Sequence, residues 1–281
     1  MCVAVLSAVK SSVPTLTHVI PSQGRKAVNA VTSLDDDVFV VRFSSQHVEV
    51  YDAKTFTLQG HIAVQRLGSS TYGMTACARN KCLYLSDYEN PSVHRVELSG
   101  SNAAKKWYVA KGPIGLSVNV AHNLVVVCRA ANKIQEYTTH GSLVREICLQ
   151  AGMTYPWHAI QLSTGDYVVS QWTSPGVVSV VGVDGQVIRS YGQSETSDVG
   201  QMKNPASLAV TKNDDILVAD QSNHSVLSIN RSTGCVQELA LSVDGGIRWP
   251  RGLCLDESRG RLYVGETWGQ NRVLVFDGVR L

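Results

Sequence analysis

The stretch ILVADQSNHSVLSIN, Ile216 to Asn230, decides the fold. An apolar run ends in an acid, Asp220, turns through polar residues and re-enters a second apolar run. Val, Ile and Leu around a short Ser/Asn/His turn read as two antiparallel strands, not as a helix of period 3.6. The same phrase recurs along the chain. Its copies are VFVVR ending at Arg42, LYLSD at Asp87, LVVVCR at Arg129, YVVSQ at Gln171, ILVAD at Asp220 and LYVGE at Glu266. The end residues are 45, 42, 42, 49 and 46 apart. A period near 45 marks an array of like units.

A second mark keeps step with the first. Pro113, Pro156, Pro205 and Pro250 stand two residues before Gly115, His158, Ser207 and Gly252, each at the start of a short strand. The first two copies lack the proline and read AVNAVTS and GMTACA. Each unit resolves into four strands; in the fifth these are SLAVT, DILVAD, SVLSIN and VQELAL, joined by turn-forming residues. The first strand of each unit is rich in small residues (Ala30, Ala76, Gly115, Ala209, Gly252), which suits strands crowded around an axis.

Six four-stranded units fit either a closed propeller or an open solenoid. The ends of the chain decide. The sixth unit runs LYVGE, RVLVFD and then only GVRL, one strand short, while TLTHVI (Thr15–Ile20) stands unassigned before the first unit. If the early strand completes the last sheet, the ring seals. The expected fold is therefore all-β: a six-bladed β-propeller of four-stranded antiparallel blades, closed by the strand Thr15–Ile20. It forms one domain over residues 1–281, with 1–13 as a loose tail.

Composition excludes several classes. Hydrophobic residues are 44% and charged residues 17%, so the chain is a packed globular one. The formal net charge of +2 gives no overall pull toward nucleic acid or an anionic membrane. No apolar run approaches the ~18 residues of a membrane span, and the N-terminal stretch lacks the basic region of a signal peptide. The seven cysteines include Cys128, Cys148 and Cys254 within strand runs. They read as small buried hydrophobes in a reducing, cytoplasmic setting.

The phrase Ile216–Asn230, preceded by NPASLAV, resembles the NHL repeat, and the sixth copy WPRGLCLDESRGRLYVGETWGQNRVLVFD is similar to it. The resemblance implies that the acid ending the second strand supports the following turn; Asp87, Asp220 and Glu266 occupy that place, whereas Arg42, Arg129 and Gln171 depart from it. It also implies a recognition role, since such propellers form the target-selecting end of tripartite-motif ubiquitin ligases. The chain carries no RING-like Cys/His spacing and no heptad run.

Strands of alternating direction bring the loops after each second strand and those entering each first strand to one face. That face collects Trp157, Trp172, Trp249 and Trp268, with Tyr72, Tyr88 and Tyr155, and the arginines Arg42, Arg129, Arg248 and Arg251. Leaving a tryptophan of ~150 Å² in water forgoes about 4 kcal/mol, so each either plugs a gap between blades or grips a ligand. Three readings follow: a non-catalytic module binding a protein or peptide on this face; a propeller binding single-stranded RNA, where aromatics stack bases and arginines hold phosphates; and a metal-dependent hydrolase or lyase. Against RNA, Asp87, Glu89, Asp220 and Glu266 share the face. Against metal, His158 is matched in the other units by Gly115, Ser207 and Gly252, so no ligand set converges. The first reading is preferred, with no catalytic residue, no metal and no cofactor.

Overall fold

In a computed structural model, residues 13–22, 24–99, 104–192 and 201–279 are described. The tail expected over 1–13 lies, except for Val13, outside them. The first blade is β2 (Val28–Leu34), β3 (Asp37–Arg42), β4 (His47–Asp52) and β5 (Leu58–Ala63), and the second is β6 (Met74–Cys77), β7 (Cys82–Asp87), β8 (Ser92–Glu97) and β9 (Ala104–Tyr108). The third is β10 (Pro113–Val118), β11 (Leu124–Cys128), β12 (Lys133–Tyr137) and β13 (Leu143–Cys148); the fourth is β14 (Pro156–Gln161), β15 (Tyr167–Gln171), β16 (Val177–Val181) and β17 (Val187–Tyr191). The fifth is β18 (Pro205–Val210), β19 (Ile216–Asp220), β20 (Ser225–Ile229) and β21 (Val236–Glu238). The sixth joins β22 (Pro250–Asp256), β23 (Arg261–Glu266) and β24 (Val273–Asp277) to β1 (Thr15–Ile20), in the order β1-β24-β23-β22. The chain is a six-bladed, all-antiparallel propeller closed by its N-terminal strand.

The core is six apolar layers, one between each pair of neighbouring blades. In β3, Phe39 and Val41 pack toward the second blade, whereas Val38 and Val40 pack toward the sixth. A strand buried on both faces reads as an unbroken apolar run, which is why VFVVR and LVVV show no polar alternation. The layer between the last and first blades contains Ile20, Val273, Val275 and Tyr263 against Val28, Val31 and Tyr51. Inner strands approach so closely that some positions admit only glycine: a Cβ on Gly115 would lie 2.3 Å from the Trp157 carbonyl oxygen, and one on Gly73 2.0 Å from that of Ile114.

Closure rests on an antiparallel pair running from Thr15 opposite Asp277 to Ile20 opposite Val273, with a bulge between Leu16 and His18. Arg42 clasps it. Its Nε donates to both carboxylate oxygens of Glu49 at 2.8 and 2.9 Å, and its remaining nitrogens donate to the carbonyls of Pro21, Lys26 and Asn271. Arg42 is therefore buried and fully engaged, not on the binding face expected from sequence. A guanidinium has five donors in a rigid fork, enough to hold a carboxylate and three backbone carbonyls at once.

Strand pairing also corrects the register of the third copy. Pro113 lies opposite Cys128, as Pro205 lies opposite Asp220 and Pro250 opposite Glu266. Cys128, not Arg129, thus ends the strand, and Arg129 moves onto the loop. Most strand-ending residues find a partner on the third strand or at its entry: Arg42 with Glu49, Asp87 with His94, Cys128 with Gln135, Gln171 with Ser179, and Glu266 with Arg272 just before β24. In the first blade the acid has simply changed strands. Two further expectations are revised. Cys148 is exposed, because β13 is an outer strand whose Ile147 alone faces the core. The fourth strand of the fifth blade is only Val236–Glu238, half the length of VQELAL.

Trimming Ile20 to Ala should cost about 2–5 kcal/mol by loss of contacts and a residual cavity. Arg42→Met should cost about 3–5 kcal/mol, because it strands the Glu49 carboxylate, and adding Glu49→Leu should recover part of that loss. Urea unfolding of the three variants checks both; equal stability of Ile20→Ala and the parent would contradict the proposed seal.

Candidate functional site

The inner strands surround an axial channel of about 220 Å³. Asn29, Tyr72, Trp157 and Arg251 line it near the starts of the first, second, fourth and sixth inner strands, whereas the matching Ile114 and Ala206 lie in the core. In the first, fourth and sixth blades a break in register falls on that residue, between Val28 and Ala30, Pro156 and His158, and Pro250 and Gly252. A bulge re-aims the side chain that it carries, and Asn29, Trp157 and Arg251 all reach the channel wall.

Alternate blades supply the large groups. The guanidinium carbon of Arg251 lies 5.1 Å from the ring centre of Tyr72 and 4.8 Å from that of Trp157, so one side chain from the sixth blade meets rings from the second and fourth. Arg129, released onto the loop by the register of its strand, lies 4.8, 5.6 and 5.9 Å from the rings of Tyr155, Trp157 and Trp172. Tyr88 packs edge-on to Tyr72 at 5.6 Å, and Trp157 lies 5.3 Å from Trp172. These seven residues form one cluster.

Its electrostatics are unbalanced. Among the described residues, no carboxylate forms an ion pair with Arg129 or Arg251. Arg251 Nε is fully covered and has no hydrogen-bond partner; the same is true of Asn29 Oδ1 and Thr71 Oγ1 nearby in sequence to the mouth positions. Burial pushes the Arg251 guanidinium down to about 10; Tyr72 opposes this and the charge of Arg129 adds to it.

The rim is held by a hydrogen-bond relay over three blades. Trp172 Nε1 donates to Gln221 at 2.8 Å, Gln221 donates to Thr267 at 3.0 Å, and Thr267 donates to the Trp249 carbonyl at 3.0 Å. Gln221 and Thr267 were not singled out from sequence. Their signal is position: each directly follows its strand-ending residue, as Tyr88, Arg129 and Trp172 do. Asp87, Asp220 and Glu266 lie beneath the loops. Asp87 accepts from the backbone of Gly68 and Asn90, Asp220 from Lys203, and Glu266 from Arg248. Burial raises Asp220 to about 6 against the pull of the Lys203 amide.

The four tryptophans divide. Trp157 is 6% exposed and belongs to the core, and Trp172 is half-buried, whereas Trp249 is 36% and Trp268 70% exposed. Tyr155 is 56% exposed. Tyr155, Trp249 and Trp268 all have left-handed backbones, with φ of 51°, 47° and 49°. That conformation costs a bulky residue about 1–2 kcal/mol and concentrates at functional sites.

His158 lines the channel but offers no free nitrogen. Its Nε2 meets the Leu116 carbonyl at 2.9 Å, and its Nδ1 accepts from the Leu208 amide at 3.0 Å, so the ring bridges the third and fifth blades. His224 Nδ1 likewise accepts from the Trp249 amide. The described residues bring His47, Glu49 and His61 of the first blade together, with ligand atoms within 4.8 Å. Glu49, however, is committed to Arg42 and to the Tyr51 hydroxyl.

Burial lowers the His158 pKa from 6.5, and the Nδ1 bond to Leu208 requires the neutral ring. The unfolded chain therefore takes up the proton first, and stability falls as pH drops below about 6.5. Asp220, raised in the folded state, contributes the opposite sign between its unfolded value and about pH 6. The difference between the parent and His158→Gln isolates the histidine. Thermal midpoints from pH 7.5 to 5 should fall more steeply in the parent; parallel curves would remove the linkage.

Known proteins set this geometry in context. The family model for the NHL repeat matches residues 202–227. With the six-bladed ring, that match supports an NHL-repeat propeller family. No curated protein matches the chain. Similar solved structures include hydrazine synthase of Kuenenia stuttgartiensis, at TM-score 0.66 and 20% identity over 93% of this chain and 79% of that one. Virginiamycin B lyase of Staphylococcus aureus aligns at TM-score 0.67 and 10% identity over 94% and 99%. A nidogen/laminin complex aligns at TM-score 0.63 and 16% identity over 83% and 86%. At these identities the likeness is one of fold.

Proposed function

We propose that the chain is a non-catalytic recognition module that grips a protein or peptide by the loop face of the propeller. The observation that carries this reading is the cluster at the channel mouth, whose Tyr155 is exposed, together with exposed Trp249 and Trp268 on the same loops' face, all three held in costly backbone conformations. Strained, solvent-facing rings persist where a partner covers them. Protein interaction is the general use of NHL propellers, and selection of targets for a ubiquitin ligase in the cytoplasm is the specific role proposed.

A catalytic role finds less support. A hydrolase or lyase needs a free base or an open metal position. Both nitrogens of His158 are taken by backbone groups, and burial raises the thiol pKa of Cys254, which contacts Ser33. Single-stranded RNA fits less well than peptide. Base stacking needs bare ring faces along a basic groove, but guanidiniums already lie over Tyr72, Trp157 and Trp172. Among the described residues, no helix is long and apolar enough to cross a membrane.

Affinity capture from source cells, with the parent and a Trp249→Ala/Trp268→Ala variant, tests the reading. Loss of about 2 kcal/mol per anchoring aromatic, or more than tenfold in affinity, is expected for a specific partner. Equal recovery of every partner would remove this face. Recovery that a ribonuclease abolishes and added salt weakens would favour RNA, and metal in the purified chain by elemental analysis would favour the enzyme.

A further inference from the structure

We propose that the mouth of the channel is an oxyanion subsite, in which Arg129 and Arg251 together hold a carboxylate or phosphate carried by the bound peptide. The inference rests on the recognition reading above and names the chemical group recognised.

Three observations carry it. First, the two guanidiniums lie over the same ring, Trp157, at 5.6 and 4.8 Å. Like charges this close repel, and no acid of the described residues pairs with either. A partly buried cation without a counter-ion is disfavoured, and proteins normally place an acid beside it, as this chain does for Arg42, Arg261 and Arg272. At the mouth no carboxylate of the described residues supplies the counter-ion. Second, the site is built, not solvated at random. Arg251, at a bulge, lines the channel against the rings of Tyr72 and Trp157, and its Nε is covered yet unbonded. Planar nitrogens with open donor positions match the two oxygens of a carboxylate or phosphate. Third, the space is small. A channel of about 220 Å³ falls below the ~300–1,000 Å³ of whole-ligand pockets, so it accepts one group at the end of a longer ligand that the exposed Tyr155, Trp249 and Trp268 would contact.

The test uses the whole chain and three small probes at fixed ionic strength: N-acetyl-glycyl-phenylalanine, the same compound as its amide, and N-acetyl-phosphoserine amide. Thermal midpoint and tryptophan emission are followed, since Trp157 and Trp172 touch the guanidiniums. At least one of the two oxyanion probes should raise the midpoint and shift emission saturably, while the uncharged amide is inert. Which anion acts distinguishes a chain terminus or acidic side chain from a phosphorylated one. Arg251→Met and Arg129→Gln should each weaken that response at least about tenfold, and Arg251→Met should raise the midpoint without ligand, because it removes an unpaired interior charge. Should Arg251→Met fail to fold, Arg129→Gln and the acid–amide comparison decide.

Silence of both anions, an equal response to the amide, or a full response in the arginine variants would overturn the subsite. If partners lost by Trp249→Ala/Trp268→Ala are retained by Arg129→Gln, recognition stands and the subsite alone falls.

Discussion

Everything in this molecule depends on one strand pair, that of β1 with β24. Six blades have six layers of contact only if the ring is shut, and the sixth layer exists because residues from opposite ends of the chain share a sheet. Without that pair, Ile20, Val273 and Val275 lose their common layer, and β24 becomes an open edge with unpaired backbone groups. Arg42 extends the seal beyond the sheet by holding the carbonyls of Pro21, Lys26 and Asn271 around a buried ion pair. Buried pairs are seldom favourable in themselves against apolar replacements; what this one adds is a fixed meeting point for three segments.

A shut ring also explains why the binding face can carry strain. The inner strands meet around a small circle, so side chains near their starts come within reach of one another. The chain fills those places unevenly: Asn29 is modest, Ile114 and Ala206 lie in the core, while Tyr72, Trp157 and Arg251 are large and meet one another. The cost of an unpaired guanidinium and of left-handed aromatics is borne by a scaffold whose apolar layers between blades are extensively buried. Stable cores with costly mouths are the usual arrangement where a site must be preorganised.

The architecture was legible because repetition averages out local error. Six copies of one phrase place the second strands, and the missing strand of the sixth copy points to Thr15–Ile20, whose bounds the structure reproduces. The site was less legible, for reasons of register. LVVVCR reads as a run ending in its charged residue, yet the opposing Pro113 places the end at Cys128. A slip of one residue sends Arg129 outward. Arg42, chemically alike and two units earlier in the same phrase, does end its strand and is buried. Trp157 and Trp268 look equivalent as loop tryptophans; the former lies within β14 and packs with the core, while the latter stands in water after the end of β23. Gln221 and Thr267 are ordinary polar residues until their places are aligned with Trp172.

The seal has a consequence for biosynthesis. β1 leaves the ribosome ahead of every blade, while its mate is made after all the others. Until β24 emerges, the nascent polypeptide therefore holds a partly apolar ribbon with no sheet to join. Contacts so distant along the chain form slowly, and unsatisfied edges during that wait invite association with other chains. Final closure thus waits on the synthesis of β24, and a chaperone that shields the early ribbon would act during that interval.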